Sequence, residues 1–244
     1  MRCPLALRLC AIALCCLFWV TQQAAEANDS GLRAVLVAGD NAEPVFDNAV
    51  NAIGHWLIGR GVPRADIHRL SASREPADAT VEPASADRIL QRIASLRAQP
   101  GERCLVFITS HGKRGEGVWL AAGGEYLTPA ALADALSLGC GAVPTVVIVS
   151  SCYSGAFTAA PMRAPNRIIL TAARADRPSF GCQADRTYTV FDECLLATLP
   201  QSATWRLVFD RNSSCVRKRE KSLNVLPSQP QAAFGAAVRN LPLR

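Results

Sequence analysis

The sequence predicts a single α/β domain in which helices cover both faces of a mainly parallel sheet. Stretches typical of strands and of helices alternate from one end of the chain to the other, as they do in doubly wound folds. The third of the strand-like stretches, residues 104–109, is apolar throughout, which is expected where both faces of a sheet are buried. At 244 residues, half of them hydrophobic, the chain is long enough to bury one sizeable core.

The composition excludes several classes of protein. A chain with 50% hydrophobic and only 19% charged residues is not disordered, and it shows neither a collagen-like repeat nor a polytopic membrane pattern. Lys and Arg number 26 against 20 Asp and Glu, which gives a net charge of +6. These basic residues are spread thinly and form no long stripe, so no nucleic-acid partner is expected.

The first 27 residues are predicted to be a signal peptide. Arg2 and Arg8 precede an apolar run at residues 9–20, and small and polar residues follow up to Ala27. The run is shorter than the roughly 20 residues of a membrane-spanning helix. An uncleaved N-terminal anchor is the alternative. Cleavage after Ala27 leaves residues 28–244 as one domain, which is exported to the periplasm or the medium and has no stable membrane insertion.

The first half of the exported chain is predicted to contain two strands, two helices and one loop. Apolar residues at steps of three and four indicate the helices, and short, mainly apolar runs indicate the strands, the second of which His68 interrupts. Asp87 is the predicted N-cap of the second helix, because its carboxylate can accept a free N–H of the first turn. In chain order, the elements are a strand at 32–38, a helix at 45–57, a strand at 67–70, a loop at 75–86 and a helix from residue 87 that ends before residues 100–101.

The second half continues the alternation and brings the number of predicted strands to six. Thr128 and Pro129 open a helix, and Pro suits its first position because the missing N–H is not needed there. The remaining strands are short apolar runs, the last of them preceded by a Pro-rich turn. In chain order, the elements are a strand at 104–109, a helix from residue 129, strands at 145–150 and 167–172, helices at 189–199 and 205–221, and a strand at 231–238.

Two of the predicted strands end in chemically reactive residues. The third leads into His111 and Gly112, and the fourth leads into Cys152. Ligands of open parallel sheets lie beyond the carboxyl ends of the strands, so neighbouring strands would bring the two side chains together. An imidazole beside a thiol favours the nucleophilic thiolate and can protonate the leaving amine of a peptide bond. The N–H groups of Gly112 and Cys152 are expected to form the oxyanion hole.

Other interpretations of these residues are weaker. A lone Cys after an apolar strand is more often a buried structural thiol. A metal site formed by His111, Cys152 and Cys182 lacks any C-x-x-C or H-x-x-x-H spacing. A serine hydrolase is disfavoured because the chain has no G-x-S-x-G motif. The occurrence of both a His-Gly and a Cys block after apolar strands favours catalysis without a metal or an organic cofactor.

These blocks resemble a known family. The segments LVFITSHG (105–112) and VVIVSSCYSG (146–155) are similar to those of legumain-type asparaginyl endopeptidases, which are related to caspases and gingipains. The resemblance extends to residues 33–41, 171–182 and, weakly, 227–235. It implies a caspase-like three-layer α/β/α sandwich with a central sheet of about six strands. It also implies a short, secreted, bacterial-type member with His111 and Cys152 as the catalytic dyad.

The resemblance also suggests substrate-binding residues, with informative departures. Legumain has an acidic residue two positions before the nucleophile, where this chain has Ser150, so strict Asn specificity is not expected. Ser179 matches a Ser near the S1 pocket of the family, and Asp192 or Glu193 is a candidate for the acid of that pocket. Asn41 is the candidate for the Asn that orients the catalytic His in legumain. The long C-terminal prodomain of legumain is absent from the sequence.

Six cysteines follow the predicted signal peptide, and some should pair in an oxidising compartment. Cys104 and Cys140 flank strands at the amino edge of the sheet, where a disulfide could span them. Cys194 and Cys215 lie in successive helices that an antiparallel hairpin would bring together. The predicted disulfides are Cys104–Cys140 and Cys194–Cys215, with free thiols at Cys152 and Cys182.

Together these features predict an exported cysteine endopeptidase that acts on peptides or proteins through a thioester acyl-enzyme. A transamidase or peptide ligase with the same dyad remains an alternative, since an amine can replace water at the thioester. A catalytically inactive peptide-binding module on the same fold is a second alternative from a different class.

Overall fold

A computed structural model of the chain describes residues 31–73 and 78–243; the predicted signal peptide lies outside the described residues. Within these ranges the chain forms ten strands and five α-helices. The strands are β1 (Leu32–Ala38), β2 (Ile67–Ser71), β3 (Glu82–Pro83), β4 (Arg103–Thr109), β5 (Gly112–Lys113), β6 (Gly117–Leu120), β7 (Glu125–Leu127), β8 (Thr145–Ser150), β9 (Arg167–Thr171) and β10 (Gln231–Phe234). The helices are α1 (Val45–Gly59), α2 (Ala86–Ala94), α3 (Pro129–Gly139), α4 (Val190–Thr198) and α5 (Trp205–Ser222).

Seven of the described strands form the central sheet, in the order β10-β9-β8-β4-β1-β2-β3. All neighbouring strands are parallel except β10, which runs antiparallel to β9. In the middle of the sheet, Ala38 of β1 pairs with Thr109 of β4, and Thr109 pairs with Ser150 of β8. The carboxyl ends of β1, β4 and β8 therefore meet at one edge.

Helices cover both faces of this sheet, and the alternation of side chains in β1 shows how. Ala34 and Leu36 belong to a core shared with α1, α4 and α5. Val35 and Val37 point the other way, into a core shared with α2 and α3. Because both faces are covered, the side chains of β1, β4 and β8 are mainly apolar and buried, except near the strand starts, where Arg33 and Arg103 are partly exposed. The predicted α/β/α sandwich with a mainly parallel sheet is confirmed.

The structure differs from the predicted elements in three places. The seventh strand of the sheet, β3, lies in the stretch 75–86 that was predicted to be a loop. Ser85, not Asp87, is the N-cap of α2, and its hydroxyl accepts the Arg88 N–H at 3.4 Å. The chain from 231 to 238 is a strand only over β10, and it continues as a single 3₁₀ turn.

A small antiparallel sheet of β5, β6 and β7 follows β4 and was not predicted. Its signal is present in the sequence, since residues 117–120 and 125–127 flank a Gly-Gly pair that is typical of a hairpin turn. The small sheet begins directly after His111, so it borders the carboxyl edge of the central sheet.

The structure contains both disulfides that the sequence predicts. Cys104 lies in β4 and Cys140 at the end of α3, and their Cα atoms are 6.1 Å apart. Cys194 of α4 is bonded to Cys215 of α5, with a Cα separation of 5.7 Å. Cys152 and Cys182 are free thiols. None of the helices in residues 31–73 and 78–243 has the length and apolar character needed to cross a bilayer.

Candidate active site

The ends of β4 and β8 bring the two predicted catalytic residues to one edge. Thr109 and Ser150 are register partners, and the Ser110 N–H donates to the Ser150 carbonyl oxygen at 3.1 Å. His111 lies two positions after Thr109, and Cys152 lies two positions after Ser150. The pairing of β4 with β8 therefore sets the relative position of the imidazole and the thiol.

Gly112 lies against the backbone of the cysteine. A Cβ atom added at Gly112 would lie 2.2 Å from the Cys152 carbonyl oxygen and 2.9 Å from the Ser151 Oγ. Real Cβ atoms do not approach backbone oxygen so closely, so the residue after His111 must be Gly for the two segments to meet. Gly112 is predicted to contribute to the oxyanion hole, and this close approach is compatible with that role.

The thiol of Cys152 is held by Ser179. Its Sγ accepts the Ser179 N–H at 3.3 Å and donates to the Ser179 carbonyl oxygen at 3.5 Å, with the Ser179 Oγ 3.7 Å away. Ser179, predicted to lie near a specificity pocket, thus contacts the thiol itself. Within the described residues the thiol makes these hydrogen bonds and none to the ring of His111; such catalytic bonds often form only when substrate is bound.

A tight turn presents Cys152 beyond the end of β8. The next residue, Tyr153, has φ +59°, in the left-handed region that non-glycine residues seldom adopt. The Tyr153 N–H donates to the Arg177 carbonyl oxygen at 2.8 Å, and the Ser154 Oγ donates to the Ser151 carbonyl oxygen at 2.7 Å. These bonds fix the turn and with it the direction of the cysteine.

His111 is positioned from two sides. Its ring packs edge-on against Phe46 near the start of α1, with ring centroids 5.2 Å apart. Its backbone oxygen accepts the Trp119 N–H from β6 at 3.0 Å, while the Ser110 Oγ donates to the Trp119 oxygen at 2.6 Å. Phe46 and Trp119 were not foreseen as site residues, because only the folded structure brings α1 and β6 to the end of β4.

Asp192 lies beneath the two strand ends. It is 1% exposed, and its Oδ2 accepts a hydrogen bond from the Thr109 hydroxyl at 2.7 Å. Burial raises the pKa of Asp192 to about 6, although the hydroxyls of Thr109, Ser150 and Thr189 act to lower it. A carboxyl this deeply buried contacts the strands that carry the site. It could touch a substrate only if the covering residues moved.

The other predicted binding residues have different surroundings. Ser150 is 2% exposed, and its hydroxyl lies 3.5 Å from the Thr189 hydroxyl that caps α4. Glu193 is engaged by Arg186 at 2.7 Å and by Arg219 at 2.5 Å. Asn41 is exposed in the segment between β1 and α1, and none of its described contacts joins it to His111.

Cys182, the second free thiol, is half-buried on the same side of the sheet. Burial raises the pKa of Cys182, and the neighbouring Cys152, Glu43 and Asp40 raise it further. Its thiol is therefore held in the protonated form, which is a poor nucleophile.

The part of the chain that the structure describes contains no group of three or more His, Cys, Asp or Glu side chains arranged to hold a metal ion. What the arrangement offers is a thiol, an imidazole and close backbone N–H groups at one edge of a sheet. Those are the groups needed for nucleophilic attack on a carbonyl carbon.

Comparison with known proteins agrees with this chemistry. The sequence profile of the peptidase C13 family matches residues 85–207, a range that contains His111, Cys152 and Ser179. No curated protein shows significant similarity to the chain. The family match supports a cysteine peptidase and is consistent with the α/β/α sandwich and its mainly parallel sheet. Since the match covers half of the chain, the protein belongs to the peptidase C13 family, the legumain family.

Proposed function

We propose that the protein is an exported cysteine endopeptidase with a Cys152–His111 dyad. The observation that carries the proposal is the pairing of Thr109 with Ser150, after which His111 and Cys152 occupy matching positions at one edge. Membership of the peptidase C13 family supports the cysteine-peptidase chemistry independently of that geometry. No cofactor is needed for the reaction, and the partners are peptide or protein substrates.

In the proposed reaction His111 accepts the thiol proton as the Cys152 Sγ attacks the carbonyl carbon of a peptide bond. The C–N bond breaks, the leaving amine takes the proton from the imidazolium, and a thioester remains on Cys152. Water then attacks the thioester with His111 as general base. The products are a free carboxylate and the restored thiol.

The oxyanion of each tetrahedral intermediate is proposed to bind the N–H groups of Gly112 and Cys152. Backbone donors fixed near the thiol act without reorganisation during the reaction, and removing one such donor typically costs about 100- to 1,000-fold in rate. The contact of Gly112 with the Cys152 backbone supports this assignment.

Ser179 is proposed to shape the site for the residue before the cleaved bond, and Ser150, which is buried, is proposed to influence it from beneath. Ser179 already contacts the thiol, so a substrate carbonyl that reaches the Sγ must pass close to it. Ser150 offers a hydroxyl where legumain has an acid, which argues against strict Asn specificity. Asn41 is proposed to orient His111, and Asp192 is proposed to support the strand ends through its hydrogen bond with the Thr109 hydroxyl.

Export rests on the predicted signal peptide. Two disulfides in the described chain are compatible with folding in an oxidising compartment.

The test is to profile the purified protein against a peptide library, with Cys152→Ala as the negative variant. Cys182→Ala is a matched control because it removes the other free thiol. We expect cleavage by the wild type and Cys182→Ala but not by Cys152→Ala. Adducts that predominate over hydrolysis when a free amine is added would identify a peptide ligase. No cleavage, together with no labelling of Cys152 by peptide electrophiles, would identify a binding module.

A further inference from the structure

An open cavity of about 540 Å³ lies beside the edge strand β10. Its walls combine Arg163 and Arg167 with the small or apolar residues Ala232, Ala233 and Phe234, and no carboxylate is among the described residues that line it. Arg167 begins β9 and pairs with the first residue of β8. The cavity is therefore at the amino edge of the sheet, opposite the edge that carries Cys152.

Arg167 is a buried cation that has no counter-ion among the residues that the structure describes. It is 5% exposed, its Nη1 donates to the Met162 carbonyl oxygen at 2.6 Å, and its Nε has no hydrogen-bond partner. Burial lowers the pKa of Arg167, and no neighbouring carboxylate offsets that effect. Buried charged groups are usually paired, because an unpaired one loses its hydration without compensation. The guanidinium therefore has unused capacity to bind an anion.

Two further arginines add positive charge around the cavity. Arg163 is exposed, and its Nε is fixed by a 2.6 Å hydrogen bond to the Thr158 carbonyl oxygen. The Arg206 guanidinium lies 4.0 Å from the centroid of the Phe234 ring, which is part of the wall. The positive groups and the apolar wall are together complementary to a ligand that has an anionic end and an apolar body.

We propose that this cavity binds a carboxylate joined to a short aliphatic or peptide group, such as the C-terminus of a peptide. Arginine forms strong, charge-assisted hydrogen bonds with carboxylates. Ala232, Ala233 and Phe234 can bury the carbon atoms next to the carboxylate, as apolar walls do in small-ligand sites. Inorganic phosphate could use the guanidinium groups but offers no surface for that wall. The site is separate from the proposed catalytic edge and does not depend on peptidase activity.

The test is a calorimetric titration of the Cys152→Ala protein, in which peptides cannot be cleaved. The probes are N-acetyl-dialanine, its C-terminal amide and inorganic phosphate. We expect the acid to bind at least about 10-fold more tightly than the amide, because the amide lacks the charge-assisted bonds. Phosphate is expected to show no saturable binding at the same concentrations.

Arg163→Gln tests the location, because Arg163 is exposed and its loss leaves the core intact. Arg217→Gln is the matched control, since Arg217 is exposed on α5 and is not part of the cavity wall. We expect Arg163→Gln to weaken binding of the acid at least about 10-fold and Arg217→Gln to leave it unchanged. Equal binding of acid and amide, saturable binding of phosphate alone, or equal effects of the two variants would overturn the proposal.

Discussion

The two edges of the central sheet are built in contrasting ways. At the amino edge, Cys104 of β4 is bonded to Cys140 of α3. At the carboxyl edge, the cysteines are free thiols, and the turn after β8 is held by hydrogen bonds and by a residue in the left-handed region. The described cysteine of β4 is thus cross-linked at the amino edge, whereas the cysteines at the carboxyl edge are free thiols. The separation lets the fold be stabilised in an oxidising compartment without using the nucleophile.

The largest expected effect is loss of activity at the carboxyl edge. We expect Cys152→Ala and His111→Ala each to reduce kcat/KM at least about 1,000-fold, because the proposed reaction needs both the thiol as nucleophile and the imidazole as its base. The double variant should be scarcely worse than either single one. Thermal unfolding of the variants is the control for folding, and strictly additive losses would show that the residues do not act as a unit.

Gly112→Ala tests the close contact between the two segments of the carboxyl edge. The added methyl would meet the Cys152 carbonyl oxygen at 2.2 Å, so the oxyanion donors must shift. We expect kcat to fall by roughly 100-fold or more. Gly59→Ala is the matched control, since nothing lies within 4 Å of a Cβ at that position. Similar kcat values for the two variants would show that Gly112 has no role in the proposed oxyanion hole.

Removing the amino-edge disulfide should lower the stability of the protein but leave its activity unchanged, the opposite of what we expect for substitutions at the carboxyl edge. In Cys104→Ala/Cys140→Ala, a cross-link across 36 residues is lost, and we expect the free energy of unfolding to fall by about 2–4 kcal/mol. The kcat of the folded protein should stay close to that of the wild type. Denaturant unfolding together with peptide hydrolysis measures both quantities. A large loss of kcat in the folded variant would mean that the two edges are not independent.

The smallest expected effect is a pH dependence of stability from Asp192. The pKa of Asp192 in the folded protein, about 6, lies above the ordinary value of 3.8, so the stability that this carboxyl contributes is fully present below about pH 4 and is lost as the pH rises through 6. Relative to Asp192→Asn, the wild type should lose on the order of 2 kcal/mol of stability between pH 4 and pH 7. The free energy of unfolding of both proteins is measured by denaturant unfolding at several pH values across this range. If the two proteins show the same dependence on pH, the buried carboxyl does not titrate there and the prediction is wrong.

The sequence was most informative where local pattern and burial agree. The runs that became β1, β4 and β8 are apolar because helices cover both faces, so their positions could be read from the residues alone. The predicted N-cap of α2, Asp87, was wrong by two residues. Ser85 and Asp87 are both residue types that cap helices well, and only the backbone geometry decides between them.

The surroundings of the site depend on tertiary packing and were beyond sequence reasoning. Asp192 lies in the first turn of α4, after its N-cap Thr189, a position at which acidic side chains are usually exposed. The packing of α4 on the sheet instead buries Asp192 beside Thr109. Likewise, the contact of Ser179 with the Cys152 thiol depends on the path of the chain after β9, which no local pattern describes.

The most direct test of the account is the alkylation rate of the free thiols. The wild type, His111→Ala and Cys182→Ala are treated with a peptide-based electrophile at neutral pH, and the labelled cysteine is identified by mass spectrometry. We expect Cys152 to react much faster than Cys182, whose pKa is raised by burial, and to slow at least about 100-fold in His111→Ala. A Cys152 that reacts equally fast without His111, or no faster than Cys182, would contradict the proposed dyad.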